Sequence, residues 1–251
     1  MKSITMIRPL KTMKIVCLNH EHRPGHRRAT KLLGAHGIHC SPSIGISFSR
    51  QGNPSWRRAG AQERVRTMRN VIFAINTTLD GCCDHTKQLA DDETHEYFTH
   101  LLRNVDLLVF GRKTYQLMVP FWPEVAKTQS MTKASNEFAL TFDSLQKIVF
   151  SRSLGSAEDN KTRIIRTNLH DEILKLKQEP GKSILVGGVS LPSQLIELGL
   201  VDEYRFVVGP ILAGEGRRLM GGVSLPEKLQ LKLVESKLFK SGCVALRYLK
   251  Q

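Results

Sequence analysis

Three short segments, each placed just after an apolar run, carry residues that could hold a polyanion. Gly111-Arg112-Lys113-Thr114 follows the run at 106–110, Ser151-Arg152 follows 147–150, and Gly187-Gly188-Val189-Ser190 follows 183–186. Small residues let a backbone approach a ligand closely, hydroxyls donate to anionic oxygens, and a guanidinium grips a phosphate through two parallel hydrogen bonds. In an open α/β sheet, ligands bind beyond the carboxyl ends of the strands, where a following helix points free N–H groups and a positive dipole end. One glycine after a strand is only a turn. Three such segments in one stretch of chain point to a phosphate-rich cofactor.

A different chemistry is available in Thr78-Leu79-Asp80-Gly81, which ends the first apolar run. Asp80 is that loop's only carboxylate before Asp84, and a carboxylate there can accept hydrogen bonds from ring or exocyclic amines. An Asp-Gly pair is equally a plain turn. The vicinal Cys82-Cys83 reads as packing or a thiol pair rather than a nucleophile. Cys17-x-x-His20 and His36-x-x-His39-Cys40 flank 15 residues, a spacing open to zinc. The intervening segment lacks the apolar pair that packs beneath such a site, so a solvated His-rich stretch is the preferred reading and no metal is expected. Neither a Gly-x-Ser-x-Gly hydrolase elbow nor a zinc-deaminase signature occurs.

The elements that must position these residues begin at Met68. The run 71–75 reads as a buried strand, 91–103 as a helix with Tyr97, Phe98, Leu101 and Leu102 on one side, and 106–110 and 147–150 as strands. A helix follows from Asn168, then a strand at 183–186, a helix ending at Gly199, and a strand at 204–208. Alternation of Leu229, Leu231 and Leu233, then of Val244, Leu246 and Tyr248, predicts an antiparallel pair at one edge. The expectation is an α/β fold: a mostly parallel central sheet flanked by helices, with an antiparallel C-terminal edge.

Charge divides the chain at the same place. Of its 37 Lys and Arg and 23 Asp and Glu, residues 1–67 hold 13 basic side chains and only Glu21 and Glu63, a charge of +11; residues 68–251 carry +3. Two domains are therefore expected: a basic, disordered N-terminal extension over 1–67 and a folded domain over 68–251. The extension is Arg-rich and acid-poor, as in a transit peptide, but Met68 immediately before the first strand favours upstream or unstructured sequence. A basic tail binding nucleic acid is the alternative from another class, recognisable by steep salt dependence. Five cysteines, an odd number, fit reduced thiols in a cytoplasm, and no apolar run is long enough to span a membrane.

Read in order, Thr78-Leu79-Asp80-Gly81, Phe110-Gly111-Arg112-Lys113-Thr114-Tyr115, Val149-Phe150-Ser151-Arg152, Leu185-Val186-Gly187-Gly188-Val189-Ser190 and 200–219 resemble the dihydrofolate reductase fold. Most of all they resemble the reductase domain of riboflavin-biosynthesis deaminase/reductases and its stand-alone relatives. The resemblance covers Met68 to the C-terminus. It implies hydride transfer from NADPH to a small-molecule substrate, an aminopyrimidine of the 5-amino-6-(5-phosphoribosylamino)uracil type, with dihydrofolate or a pterin as the alternative. It further implies that Ala74 lies against the nicotinamide and that Gly111, Arg112 and Thr114 hold the pyrophosphate and adenosine side. Ser151 and Arg152 would meet the 2′-phosphate, and Gly187, Gly188, Val189 and Ser190 would cap the pyrophosphate. Thr78 and Asp80 would face the substrate, Asp80 as the catalytic residue beside the reacting end, joined by Glu93 as the first-helix carboxylate, although the register within Glu93-Thr94-His95-Glu96 is open. No nucleic acid or membrane partner is implied, and a homodimer is left open.

Overall fold

The structure, a computed structural model, describes residues 68–251 apart from 89, 224 and 226. The cysteines and histidines of 17–40, and every expectation for 1–67, lie outside the described residues. Strands β1 (Val71–Thr78), β2 (Val105–Gly111), β3 (Gln146–Phe150), β4 (Thr162–Ile165), β5 (Ser183–Val186), β6 (Glu203–Gly209), β7 (Leu231–Leu238) and β8 (Val244–Lys250) form one sheet. Their order is β4-β3-β2-β5-β1-β6-β8-β7. All pairings from β4 across to β6 are parallel, and β6–β8 and β8–β7 are antiparallel. The expected α/β architecture with an antiparallel edge is the one observed.

Helices cover both faces because the central strands are apolar on both sides. One core gathers Val71, Phe73, Val109, Ile148, Ile184 and Val186 under α5 (Leu169–Gln178) and α6 (Ser190–Glu197). On the other face Ile72, Ala74, Leu108, Phe110 and Leu185 pack beneath α1 (Asp92–Arg103), α2 (Arg112–Met118) and α4 (Lys133–Ser144). Asp91 caps α1 by accepting from Thr94 N at 2.7 Å, and Asp92 and Glu93 in its first turn complement the helix dipole. Gly199 ends the α6 segment with φ +68, the left-handed conformation glycine adopts most readily.

Three features depart from the sequence reading. Between β2 and β3 the chain forms α2, α3 (Trp122–Thr128) and α4, none of them among the expected elements, although Ala134, Phe138 and Phe142 of α4 recur at helical spacing. The first two span seven residues each, with Pro120 and Pro123 around their junction, too short to show a helical period. The four-residue β4, Thr162-Arg163-Ile164-Ile165, was also unread. In β7 the leucine alternation buries little: Leu231 packs on the core, but Leu233, Val234 and Leu238 are exposed, because β7 is the outermost strand and a bulge lies between Leu233 and Glu235.

Candidate cofactor cleft and substrate end

Beyond the carboxyl ends of β2, β3, β4 and β5 lies an open cleft of about 1160 Å³. Its walls include Gly111, Arg112, Thr114, Ser151, Arg152, Gly187, Val189 and Ser190, so the three segments singled out in the sequence converge on one space. Gly188 sits behind this wall at φ +92, where a Cβ would come within 2.2 Å of Thr114 Oγ1. A Cβ on Gly187 would meet the Phe110 ring at 2.8 Å. Both glycines are therefore required for the approach of the β5 loop to β2 and α2.

Among the described residues, five cations line the cleft, namely Arg112, Lys113, Arg152, Arg166 and Arg217, and no carboxylate does. None of Arg112, Lys113 and Arg152 forms an ion pair with a described residue. Helix α6 begins at the same space with Val189 at its N-cap and no side chain capping it, so its first backbone N–H groups have no side-chain acceptor from the cap. Asn168, at the N-cap of α5, also lines the wall, its side chain accepting from His170 N at 2.9 Å. This donor set suits a ligand carrying several phosphates, and the glycine cradle admits its backbone.

The sequence reading missed Arg166, Thr167, His170, Gln194 and Arg217 in this wall. The first three follow or flank the unread β4. Because Phe150 is registered against Ile165, the turn beginning at Ser151 and the one beginning at Arg166 are neighbours. Arg166 donates to the carbonyls of Leu154 at 2.5 Å and Gly155 at 3.2 Å, bracing the Ser151 turn. The Ser151 hydroxyl accepts from Leu154 N at 3.0 Å, which shapes the same turn. Arg217 reaches over from the 209–222 loop to hydrogen-bond Ser190 Oγ.

Four residues assigned by resemblance lie elsewhere. Ala74 is a buried member of the core under α1 and does not line the cleft. The Thr78 hydroxyl donates to Asp80 Oδ1 at 2.5 Å and accepts from Cys82 N at 2.9 Å, closing the turn after β1. Asp80 then accepts from Ala213 N at 3.1 Å and Gly214 N at 2.9 Å and faces Arg218 Nη2 at 3.4 Å. The Thr78 hydrogen bond, followed by that from Ala213 N, holds its carboxyl well below the usual carboxylate range. Both oxygens are thus engaged by the chain, and Asp80 anchors the 209–222 loop. Glu93 accepts from Lys240 N at 2.5 Å, so it meets the β7–β8 turn. The residue of that helical turn that points inward is Thr94, 1% exposed.

The sheet order and this cleft define a dihydrofolate reductase-like protein. The chain matches the RibD C-terminal domain over residues 69–245 and belongs to that family. It is 33% identical over 184 residues to the uncharacterized Bacillus subtilis protein YyaP, covering 72% of this chain and 94% of that one. Among solved structures, a Shewanella sp. PV-4 protein whose name assigns it provisionally to riboflavin biosynthesis has a TM-score of 0.56 at 21% identity, covering 72% of this chain and 99% of that one. The diaminohydroxyphosphoribosylaminopyrimidine deaminase/5-amino-6-(5-phosphoribosylamino)uracil reductase of Thermotoga maritima has a TM-score of 0.53 at 16% identity. That likeness covers 73% of this chain and 57% of the longer protein. No described helix is long and apolar enough to cross a membrane.

Proposed function

We propose that the protein is an NADPH-dependent reductase of a small nitrogen heterocycle, of the 5-amino-6-(5-phosphoribosylamino)uracil type. The observation that carries this reading is the cleft at the carboxyl ends of parallel strands, lined among the described residues by five cations and no acid. NADPH, when bound, supplies the hydride. The chain's part is to bind and orient. Gly187 and Gly188 admit the pyrophosphate close to backbone N–H groups, and Arg112 and the start of α6 neutralise it. Arg152 and Arg166, from adjacent turns, offer a paired cationic site for the 2′-phosphate.

Membership of the RibD C-terminal domain family, and the uracil reductase activity for which the Thermotoga relative is named, support the uracil-type substrate over dihydrofolate. So does the first turn of α1. Asp91 accepts from Thr94 N as the cap, Asp92 from the Thr132 hydroxyl at 2.6 Å and Glu93 from Lys240 N, so each of the three already serves the fold.

The test is cofactor binding followed by nucleotide fluorescence. A charge-assisted hydrogen bond contributes roughly 1.5–3 kcal/mol, so Arg152→Ala should weaken NADPH about ten- to a hundredfold and leave NADH nearly unchanged. Equal losses for both cofactors would detach Arg152 from the 2′-phosphate. Absence of NADPH oxidation with the aminouracil substrate would reject the reaction.

A further inference from the structure

The sheet has two edges, and they are built differently. Strand β4, at one side, is four residues long and carries Thr162 and Arg163, a short polar edge of the kind that resists further pairing. Strand β7, at the other side, runs eight residues, and no described strand pairs along its outer side. Every residue from Lys232 to Leu238 is exposed, although three of them are large and apolar: Leu233 at 49%, Val234 at 40% and Leu238 at 73%. A long edge with apolar side chains in water is a template for another strand.

The residues of this edge select the strand that fits it. A bulge between Leu233 and Glu235 interrupts the pairing of β7 with β8, so the regular part of the edge is 234–238. Glu235 and Lys237 stand opposite Arg247 and Ala245 on one face of the sheet. Ser236 and Leu238 stand opposite Leu246 and Val244 on the other face, where alternation also places Val234. This short segment is complementary to itself. When it pairs antiparallel with its own copy about a twofold axis through Ser236, Val234 meets Leu238 and Glu235 meets Lys237, twice each. Directly opposed residues share a face in such a pair, so the apolar contacts fall on one side and the ion pairs on the other. A parallel alignment in register would instead set Glu235 beside Glu235 and Lys237 beside Lys237.

We propose that β7 is the docking surface for a second copy of this chain, with residues 234–238 pairing antiparallel about Ser236 to join the two sheets. The same patch serves both copies, so the contact closes at a dimer. The cofactor cleft lies at β4, β3, β2 and β5, separated from β7 by β1, β6 and β8, and each copy keeps its own. So short a pairing buries less than a standard interface, and the dissociation constant should be on the order of 1–100 μM.

The experiment is sedimentation velocity of the full chain from about 2 to 200 μM, which should show a reversible monomer–dimer equilibrium. Over the same range, hydrogen exchange at the 234–238 amides should slow as the dimer forms. Glu235→Lys opposes lysine to lysine at both positions and Lys237→Glu opposes glutamate to glutamate, so each should weaken the dimer about tenfold or more. Mixed in equal amounts, the two single variants again oppose lysine to glutamate and should form a mixed dimer. The double variant E235K/K237E should recover a dimer of its own. Within one chain, Glu235 lies 3.9 Å from Arg247 and Lys237 sits over the Phe239 ring at 5.4 Å. Loss of those contacts gives no recovery on mixing. A monomer at every concentration overturns the proposal, as does a dimer whose 234–238 amides exchange no more slowly. So do single variants that dimerise like the wild type, or weakened ones that neither mixing nor the double exchange restores. The wild-type measurements need no variant to fold.

Discussion

Asp80 ties the turn after β1 to a loop more than a hundred residues away, through Ala213 N, Gly214 N and Arg218, while its side chain remains 21% exposed. A carboxyl whose pKa lies below its unfolded value stabilises the fold above the ordinary carboxylate range, and that contribution fades as pH falls through the folded pKa. Asp80→Asn keeps the shape and one acceptor oxygen but removes the charge. In the variant, hydrogen exchange at the Ala213 and Gly214 amides should accelerate near neutral pH. The difference in melting temperature from the wild type should begin to shrink only below about pH 4, where an unfolded aspartate takes up its proton. A difference that instead grows on acidification would mean that the carboxylate is not held in its charged form. Because Arg217 of the same loop reaches Ser190 in the cleft wall, NADPH affinity should fall with the loosened loop, although Asp80 itself does not line the cleft. The Asp-Gly pair was conspicuous in the sequence. Its loop partners were not, because Ala213 and Gly214 contribute only backbone N–H groups, which leave no mark on residue type.

At the scale of elements, the cleft is shaped by how closely the β5–α6 turn approaches α2. Gly188 has φ +92, and a Cβ there would be 2.2 Å from Thr114 Oγ1. The backbone conformation alone costs a non-glycine residue roughly 1–2 kcal/mol, before any displacement of Thr114. Gly188→Ala should therefore lower the unfolding free energy in urea by about 2 kcal/mol or more and weaken NADPH. Gly155→Ala, with nothing within 4 Å of its Cβ and no positive φ, should be neutral or stabilising by about 0.5 kcal/mol. Similar losses in both variants would remove the argument from close approach. The apolar runs of β1, β2, β3 and β5 made these strands legible, since burial on both faces demands continuous hydrophobic sequence. Cleft residues immediately following those runs were legible for the same reason. The Arg166–His170 wall was not, because it depends on β4, whose four residues join Thr and Arg to two isoleucines and whose burial comes from its neighbour β3. Which side chain of the first turn of α1 faces inward is fixed only by tertiary packing: a shift of one residue separates the carboxylate facing Lys240 from the buried Thr94.

For the molecule as a whole, Arg69 ties together the start of the described fold. Its side chain is buried at the amino end of the sheet, pairs with Asp106 of β2 and donates to Lys182 O at 2.5 Å, while its own N–H donates to Lys177 O at 2.8 Å. Asp106 in turn accepts from Lys182 N at 2.8 Å, so one arginine joins the start of β1, the start of β2 and the approach to β5. The family match begins at that residue. The +11 charge of residues 1–67 lies wholly before it, against +3 for the remainder. A chain starting at Met68 should therefore keep the melting temperature and NADPH affinity of the full chain. Arg69→Met should not. Breaking a fully buried ion pair costs about 3–5 kcal/mol, and with Asp106 40% exposed the loss should be nearer about 2 kcal/mol. Urea unfolding of the three proteins under one buffer decides the point. A shortened chain as unstable as Arg69→Met would show that residues 1–67 contribute to the fold, and an Arg69→Met protein as stable as the parent would move the boundary further into β1.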